Sequence, residues 1–268
     1  MTKGTKGKAL VTGASTGIGA VYADRLARRG YDLVIVARNE EQLAELAARL
    51  GRETQRDVEI IRADLTQQAD LRRVEEKITS DPDIAILVNN AGIATSAKLV
   101  DYDLRSIDDI ISLNILALTH LSAAAAKAFK SRAHGTIINI GSVVGLAPES
   151  FNTTYAASKA YVLALTQSLN AELQGSGVRV QAVLPGATRT QIWARSGHDI
   201  SSLPAEIVME VDEMVDAALA GLDQGELVTI PALPDLGDWQ RFEAARAAMA
   251  PKLSLKQSAP RYRQPSAA

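Results

Sequence analysis

Short apolar runs alternate along the chain with longer segments in which apolar residues recur every three or four positions. The short runs are rich in β-branched residues and nearly continuous, as expected of strands buried on both faces. They predict six strands, at Lys8–Val11, Asp32–Val36, Val58–Ile61, Ile84–Val88, Thr136–Ile140 and Val178–Leu184. The longer segments predict amphipathic helices at Ile18–Arg29, Glu40–Leu50, Gln67–Thr79, Leu104–Arg132 and Thr153–Gln174.

Strands that alternate with helices form β-α-β units, and these units build a parallel, doubly wound sheet with helices on both faces. Further along, the pattern predicts a helix at Glu206–Gly221, a last strand at Leu227–Ile230 and a helix at Asp238–Ala248. We therefore expect a Rossmann-type α/β fold of about seven strands. One domain would span residues 1–268, with a substrate lid at about 188–221 and a polar tail at about 250–268.

A glycine-rich segment, Thr-Gly-Ala-Ser-Thr-Gly-Ile-Gly at 12–19, follows the first strand directly. Glycines allow a tight turn and a close approach to phosphate, and the N-terminus of the next helix attracts an anion. A strand-to-helix turn that binds nothing is the alternative. The expected dinucleotide contacts are Gly13, Ser15, Thr16, Gly17, Ile18 and Gly19.

The end of the second strand decides which nicotinamide dinucleotide fits. NAD sites generally carry an acidic residue there, whereas this chain has Ala37 and Arg38. The planar cation of arginine suits a phosphate, so we predict NADP(H) in preference to NAD(H). The alternative is that Arg38 only serves a solvated loop beside Glu40 and Glu41.

Two further strand ends carry polar residues. Asp64 can accept a hydrogen bond from an adenine amino group, or it can cap the helix predicted near Gln67. Small and amide residues after the fourth strand can line the cofactor and tie neighbouring strands together. The expected contacts here are Asp64, Leu65, Asn90, Ala91 and Gly92.

Tyr155 and Lys159 lie four residues apart on one predicted helix, so both side chains face the same way. An adjacent ammonium favours the phenolate and is expected to lower the pKa of the tyrosine towards neutrality. Ser142 follows the fifth strand and can hold a substrate oxygen near Tyr155. A tyrosine with a lowered pKa can exchange protons with a carbonyl/alcohol couple. Taken alone, the tyrosine–lysine pair is also compatible with an exposed, purely structural helix face.

Together these pieces resemble the short-chain dehydrogenase/reductase family, in its single-domain branch. The matching segments are TGASTGIG at 12–19, NNAG at 89–92, Asn114, Ser142, YAASK at 155–159 and PGATRT at 185–190. They occur in the family's order. Two features depart from the pattern: no basic residue precedes Gly17, and Gly141 stands where the family often has a first serine.

The resemblance implies a role for each matching residue. Tyr155 would be the general acid in reduction and the base in oxidation, and Lys159 would also hold the nicotinamide ribose. Asn114 would anchor a water that relays protons from Lys159 to solvent. The nicotinamide would be contacted by Pro185, Gly186 and Thr188. The family's four-helix subunit interface implies a homodimer or homotetramer.

Cysteine and histidine content and net charge limit the kinds of ligand that the chain is expected to bind. The chain has no cysteine, only three histidines and a net charge of −2, which argues against a metal site and against nucleic acid. No apolar run was expected to span a membrane, and a cytoplasmic enzyme is predicted. Residues Ile93 to Ser96, Val143 to Leu146 and Ala187 to Trp193 are expected to face a small, uncharged, moderately hydrophobic carbonyl or alcohol.

Three points stay open in the sequence. Trp193 fits either a lid over the substrate or an oligomer contact, and Arg189 and Arg195 fit either a substrate contact or solvent. A non-catalytic, dinucleotide-binding regulatory protein is the alternative function. A sugar-nucleotide epimerase would need a larger C-terminal domain than this chain has.

Overall fold

The computed structural model describes residues 4–95, 97–101, 103–197 and 199–263. The chain divides into two compact units, Met1–Pro231 and Ala232–Ala268. The first unit contains seven strands: β1 Lys8–Thr12, β2 Asp32–Ala37, β3 Val58–Arg62, β4 Ile84–Asn89, β5 Gly135–Ile140, β6 Val178–Val183 and β7 Val228–Thr229.

The strands form one sheet in the order β3-β2-β1-β4-β5-β6-β7, and every neighbouring pair is parallel. The order reverses between β1 and β4, so the connections leave these two strands in opposite directions. A crevice therefore opens at their carboxyl ends, where open α/β sheets bind ligands. The predicted seven-stranded α/β fold is confirmed.

The helices are α1 Gly17–Arg28, α2 Glu40–Thr54, α3 Gln68–Ser80, α4 Leu104–Ile110, α5 Leu118–Arg132, α6 Thr153–Glu172, α7 Ile192–Arg195, α8 Val211–Asp223 and α9 Leu236–Met249. Helices cover both faces of the sheet. One face carries α1 and α2 with α8, whose apolar residues share a core that includes Tyr22, Leu43 and Met214. The opposite face carries α3 and α5, with Leu71 and Phe129 in its core.

The long helix predicted at Leu104–Arg132 forms, but its middle is not α-helical. A π-helical segment, Ile111–Ala117, joins α4 to α5 and contains the buried Asn114. A π segment inserts one residue per turn and is often found at functional sites. By length and composition alone the whole helix could cross a membrane, but core helices of soluble proteins pass the same test. Here Leu121 and Phe129 of this helix are buried in the core.

The last part of the region predicted as a lid, from Val211 onwards, is the helix α8. Met214 and Val215 of this helix are fully buried in the core, so it belongs to the body of the unit. A lid stays a prediction for the residues before it. In the described part of the segment 190–208, the regular structure is α7 and two single-turn helices, Ile200–Ser202 and Ala205–Ile207. Its ends are joined, because Met209 N donates to Ala187 O at 2.9 Å and Arg189 N donates to Met209 O at 3.0 Å.

The second unit consists mainly of α9, which begins two residues before the predicted start at Asp238. Asp235 caps this helix by accepting a hydrogen bond from Gly237 N at 2.8 Å. Trp239 stacks on Phe242, with ring centroids 5.4 Å apart. After α9 the described chain contains single helical turns at Ala250–Lys252 and Pro260–Tyr262.

Candidate active site

The glycine loop is drawn tightly against the end of β4. Asn90 Nδ2 donates to Thr12 O at 2.9 Å and to Gly13 O at 3.2 Å. Gly13 has a φ of +65°, and a Cβ there would lie 2.8 Å from Asn90 Nδ2. A Cβ on Gly19 would lie 2.4 Å from Gly13 O. Only glycine fits these two positions, so the loop backbone lies close to the crevice.

The N-terminus of α1 is suited to an anion. The helix begins at Gly17, and the side chain of the capping residue Thr16 makes no hydrogen bond to the first turn. The first N–H groups of α1 therefore have no acceptor in the Thr16 side chain. These groups and the positive end of the helix dipole are directed to the crevice. Ser15 and Ile18 flank this turn and are half-buried.

Arg38 lies at the end of β2 with its side chain exposed. Among the described residues it makes no ion pair or side-chain hydrogen bond, and Asn39 caps α2 by accepting from Gln42 N at 3.0 Å. Arg38 is therefore paired with neither Glu40 nor Glu41, and its selection of the cofactor stays a prediction. Its guanidinium is available to an anion beside the glycine loop.

Asp64 shapes the turn that follows β3. One oxygen, Oδ1, accepts from Thr66 N at 3.1 Å and from Thr66 Oγ1 at 2.8 Å. The capping residue of α3 is Gln67, so Asp64 does not cap that helix itself. The neighbouring Leu65 is buried. A contact between Asp64 and adenine stays a prediction.

The carboxyl end of β5 and the first turns of α6 bring Ser142, Tyr155 and Lys159 together. Lys159 Nζ donates to Ile140 O at 2.9 Å and lies 5.5 Å from the centroid of the Tyr155 ring. The Ser142 side chain is hydrogen-bonded to that of Tyr155. Ser142 Oγ also lies 3.3 Å from Pro185 O. All three side chains line one cleft.

Burial shifts both titratable groups of this cluster away from their charged forms. It raises the pKa of Tyr155 to about 12, although the hydrogen bond with Ser142 opposes the shift. Burial also lowers the pKa of Lys159 to about 8. The sequence predicted a lowered tyrosine pKa, and this direction is wrong for the protein alone. Lys159 is buried and Tyr155 is half-buried, and this partial loss of water disfavours the phenolate as well as the ammonium.

Asn114 is buried in the π segment, and its side chain is fully used. Its Oδ1 accepts from Ile93 N and its Nδ2 donates to Ile93 O, each at 2.9 Å. The Nδ2 also donates to Ser158 Oγ at 3.1 Å, and Ser158 Oγ donates to Tyr155 O at 2.7 Å. Gly92 leaves the necessary space, since a Cβ there would lie 3.3 Å from Asn114 Oδ1.

Sequence reasoning missed Ser158, which connects the π segment to the helix of Tyr155. The available signal was its spacing, because a serine three residues after Tyr155 can bond back to that residue's carbonyl oxygen. The predicted Asn90, Ala91 and Gly92 lie directly after β4. Asn90 and Gly92 line the same cleft as this cluster, whereas Ala91 packs against the core.

The segment after β6 also lines the cleft, beside Ser142. No other atom lies within 4 Å of the position that a Cβ of Gly186 would take. Thr188 is buried, and its Oγ1 donates to Gly186 O at 3.1 Å. Pro185, Gly186 and Thr188 thus form one wall of the cleft, and their contact with a nicotinamide stays a prediction.

The cleft has an empty volume of about 820 Å³, including the part open to solvent. Among the described residues, Lys159 is the only charged one that lines it. Arg189 is paired with Glu210 at 2.7 Å, and Arg195 with Gln191 at 2.7 Å, both on the exposed surface. The lining residues on the substrate side are Ala94, Val143, Val144, Phe151, Ala187, Ile192, Trp193 and Ser196.

The predicted substrate-facing ranges are largely represented in this lining. Ser96 and His198 lie outside the described residues. Sequence reasoning missed Phe151, which follows a single helical turn just before α6. Trp193 lines the cleft, and its placement over a substrate stays a prediction.

Known proteins are similar to this chain over most of its length. The sequence model described as short chain dehydrogenase matches residues 7–201. An uncharacterized oxidoreductase of Staphylococcus epidermidis is 33% identical over 231 residues, which are 86% of this chain and 96% of that protein.

Two solved structures are similar over almost the whole chain. One is a short-chain dehydrogenase from Sphingobium yanoikuyae in complex with NADPH, with a TM-score of 0.93 and 52% identity, covering 96% of this chain and 100% of that one. The other is a bulky-bulky ketone specific alcohol dehydrogenase from Comamonas testosteroni. It has a TM-score of 0.88 and 48% identity, covering 96% of this chain and 98% of that one.

Proposed function

The chain belongs to the short-chain dehydrogenase/reductase family, and we propose that it interconverts an uncharged, hydrophobic ketone and its alcohol with NADP(H). The observation that carries this proposal is the cluster of Ser142, Tyr155 and Lys159 on a cleft that also contains the glycine loop's helix. Residues able to move a proton at a carbonyl thus lie beside residues able to hold a dinucleotide.

The residues present fit NADP(H). The glycine loop brings backbone close to a pyrophosphate, and the exposed, unpaired Arg38 suits a ribose phosphate. The open side of Gly186 leaves room for the nicotinamide end. When bound, this cofactor supplies or accepts the hydride. A similar protein, 52% identical, binds NADPH, which supports the same choice here.

Ser142 and Tyr155 would hold the substrate oxygen between their hydroxyl groups. A tyrosine with a pKa of about 12 stays protonated at neutral pH, so it is ready to donate a proton to the carbonyl oxygen in reduction. The ammonium of Lys159, 5.5 Å from the ring centroid, stabilises the phenolate left behind. In oxidation the same groups would act in reverse, with the phenolate as base.

Asn114 would support the return of the proton to Tyr155. Its side chain is already bonded to Ile93 and Ser158, so its main-chain carbonyl group would be the one that holds a relay water. Asn114 would then serve both as a brace for the loop after β4 and as a relay position.

The apolar lining supports an uncharged substrate, since a carboxylate or phosphate group would find no free cation in it among the described residues. A protein 48% identical to this chain is described as specific for bulky-bulky ketones, which supports a ketone. The exposed Ile111 and Leu116 on the long helix support assembly into a homodimer or homotetramer.

Titration of the purified protein with NADPH and NADH side by side tests the cofactor. Tight NADPH binding and weaker NADH binding are expected. Because charge-assisted hydrogen bonds contribute about 1.5–3 kcal/mol, Arg38→Asp should weaken NADPH binding roughly tenfold to a hundredfold and leave NADH little changed.

The matched control is Arg52→Asp, the same change at another exposed arginine, on α2. It should leave the ratio of the two affinities unchanged. A wild-type preference for NADH, or an Arg38→Asp variant that keeps the wild-type ratio, would remove Arg38 as the selecting residue.

A further inference from the structure

Two aromatic rings stand at right angles to each other on the substrate side of the cleft. The Phe151 and Trp193 ring centroids are 6.3 Å apart with an interplanar angle of 89°. Phe151 also meets the Tyr155 ring, at 5.5 Å and 60°. All three residues line the same cleft. The aromatic surface is therefore continuous with the group that would donate the proton.

Phe151 is fixed relative to Tyr155. The next residue, Asn152, caps α6 by accepting a hydrogen bond from Tyr155 N at 3.2 Å. Asn152 Nδ2 also donates to Ala97 O. The cap thus holds the backbone of Phe151 beside the first turn of α6, and the Phe151 ring packs on the Tyr155 ring.

Trp193 is fixed from the opposite side of the cleft. Its indole Nε1 donates to Thr188 O at 2.8 Å, in the wall proposed for the nicotinamide. Trp193 belongs to α7, within the segment 190–208 whose two ends are joined at Met209. A tryptophan whose polar atom is already bonded within the protein presents only its apolar surface to a ligand.

We propose that Phe151 and Trp193 form an aromatic clamp, which binds an aryl group of the substrate and makes aryl ketones the preferred class. The clamp concerns the ring of the substrate, and the assumption that this substrate is a ketone rests on the function proposed above. Because the Phe151 and Trp193 rings are perpendicular, an aryl group beside them can contact the edge of one ring and the face of the other. Edge-to-face and offset-stacked contacts are the arrangements that aromatic pairs prefer. No charged residue other than Lys159 lines the cleft among the described residues, so a neutral ring enters without leaving an ion unsolvated.

The clamp predicts a preference for aromatic over saturated rings of equal size. Propiophenone and 1-cyclohexylpropan-1-one differ only in that respect. Each aromatic pair contributes about 0.5–1.5 kcal/mol beyond the burial of surface, so two rings should give propiophenone roughly a tenfold tighter binding. Phe151→Leu keeps an apolar side chain of similar volume and leaves Trp193 as the remaining ring of the pair, so the preference should fall to about threefold.

Binding can be measured without turnover, because the chain has two tryptophans and Trp239→Phe leaves Trp193 as the single one. In this background the enzyme saturated with NADP⁺, which has no hydride to give to a ketone, is titrated with each ketone while Trp193 fluorescence is followed. Val144→Ala is the matched control, because it enlarges the same cleft without removing a ring. It should weaken both ketones equally.

Separate turnover assays with NADPH, on propiophenone and on butan-2-one, distinguish the clamp from the reaction. A tenfold ratio that falls to about threefold in Phe151→Leu but persists in Val144→Ala supports the clamp. Equal binding of the two ring ketones by the Trp239→Phe protein overturns it, as does an equal loss for both in Phe151→Leu. Turnover of both ketones without a preference for the aryl ketone would support the proposed reaction and contradict the clamp. Selective binding of propiophenone without any turnover would support the clamp and contradict the proposed reaction.

Discussion

Replacing Asn114 by alanine should destabilise the protein by roughly 2–4 kcal/mol. The side chain makes hydrogen bonds to Ile93 N, Ile93 O and Ser158 Oγ at 2.9, 2.9 and 3.1 Å. An unpaired buried polar group costs about 1–3 kcal/mol. Ile93 is half-buried, so its two backbone groups are expected towards the lower end of that range.

The assay is urea unfolding followed by circular dichroism, with the free energy of unfolding extrapolated to zero denaturant. Ser158→Ala is the control, because it removes one hydrogen-bond partner of Asn114 but leaves both bonds to Ile93 intact. It should cost about 1 kcal/mol. If Asn114→Ala costs no more than Ser158→Ala, then Asn114 does not brace the loop after β4, and its role is confined to chemistry.

Two further changes test the energetics of the first unit. Tyr22 is fully buried and its hydroxyl has no hydrogen-bond partner among the described residues, so Tyr22→Phe should leave the Tm unchanged or raise it; a fall of several degrees would mean that the hydroxyl is satisfied. Burial alone would raise the pKa of Asp81, but hydrogen bonds from Lys8 and Lys77 lower it from 3.8 to about 2. The carboxylate therefore stabilises the fold above about pH 4, and this contribution is lost as the pH falls towards 2. Asp81→Asn should lower the Tm at pH 6 and have little effect near pH 2, whereas an equal loss at both would contradict the assignment.

The sequence was sufficient for the sheet, because strands buried on both faces leave an unbroken apolar run that few other structures produce. Each of the first six predicted strands lies within one residue of its observed bounds. The last strand is shorter, since only Val228 and Thr229 pair with β6. Residue identity and spacing were also enough to predict that Ser142, Tyr155 and Lys159 lie together, and all three line one cleft.

What the sequence could not provide depends on contacts between distant segments. The π segment around Asn114 has the composition of an ordinary helix, and its backbone departs from the α form where Asn114 bonds to Ile93. The pKa of Tyr155 depends on burial, which spacing along a helix does not reveal. Phe151 stood out only once the structure placed its ring beside Trp193.

The most direct test of the proposed reaction compares wild type with Tyr155→Phe in two measurements: NADPH binding and steady-state reduction of a ketone that the wild type accepts. The variant keeps the ring but loses the hydroxyl that would donate the proton. General acid catalysis contributes about a hundredfold to ten-thousandfold, so kcat should fall by at least about a hundredfold while the NADPH affinity stays within about twofold. A variant that retains most of its turnover would show that another group protonates the substrate oxygen. That result would contradict Tyr155 as the acid of this site.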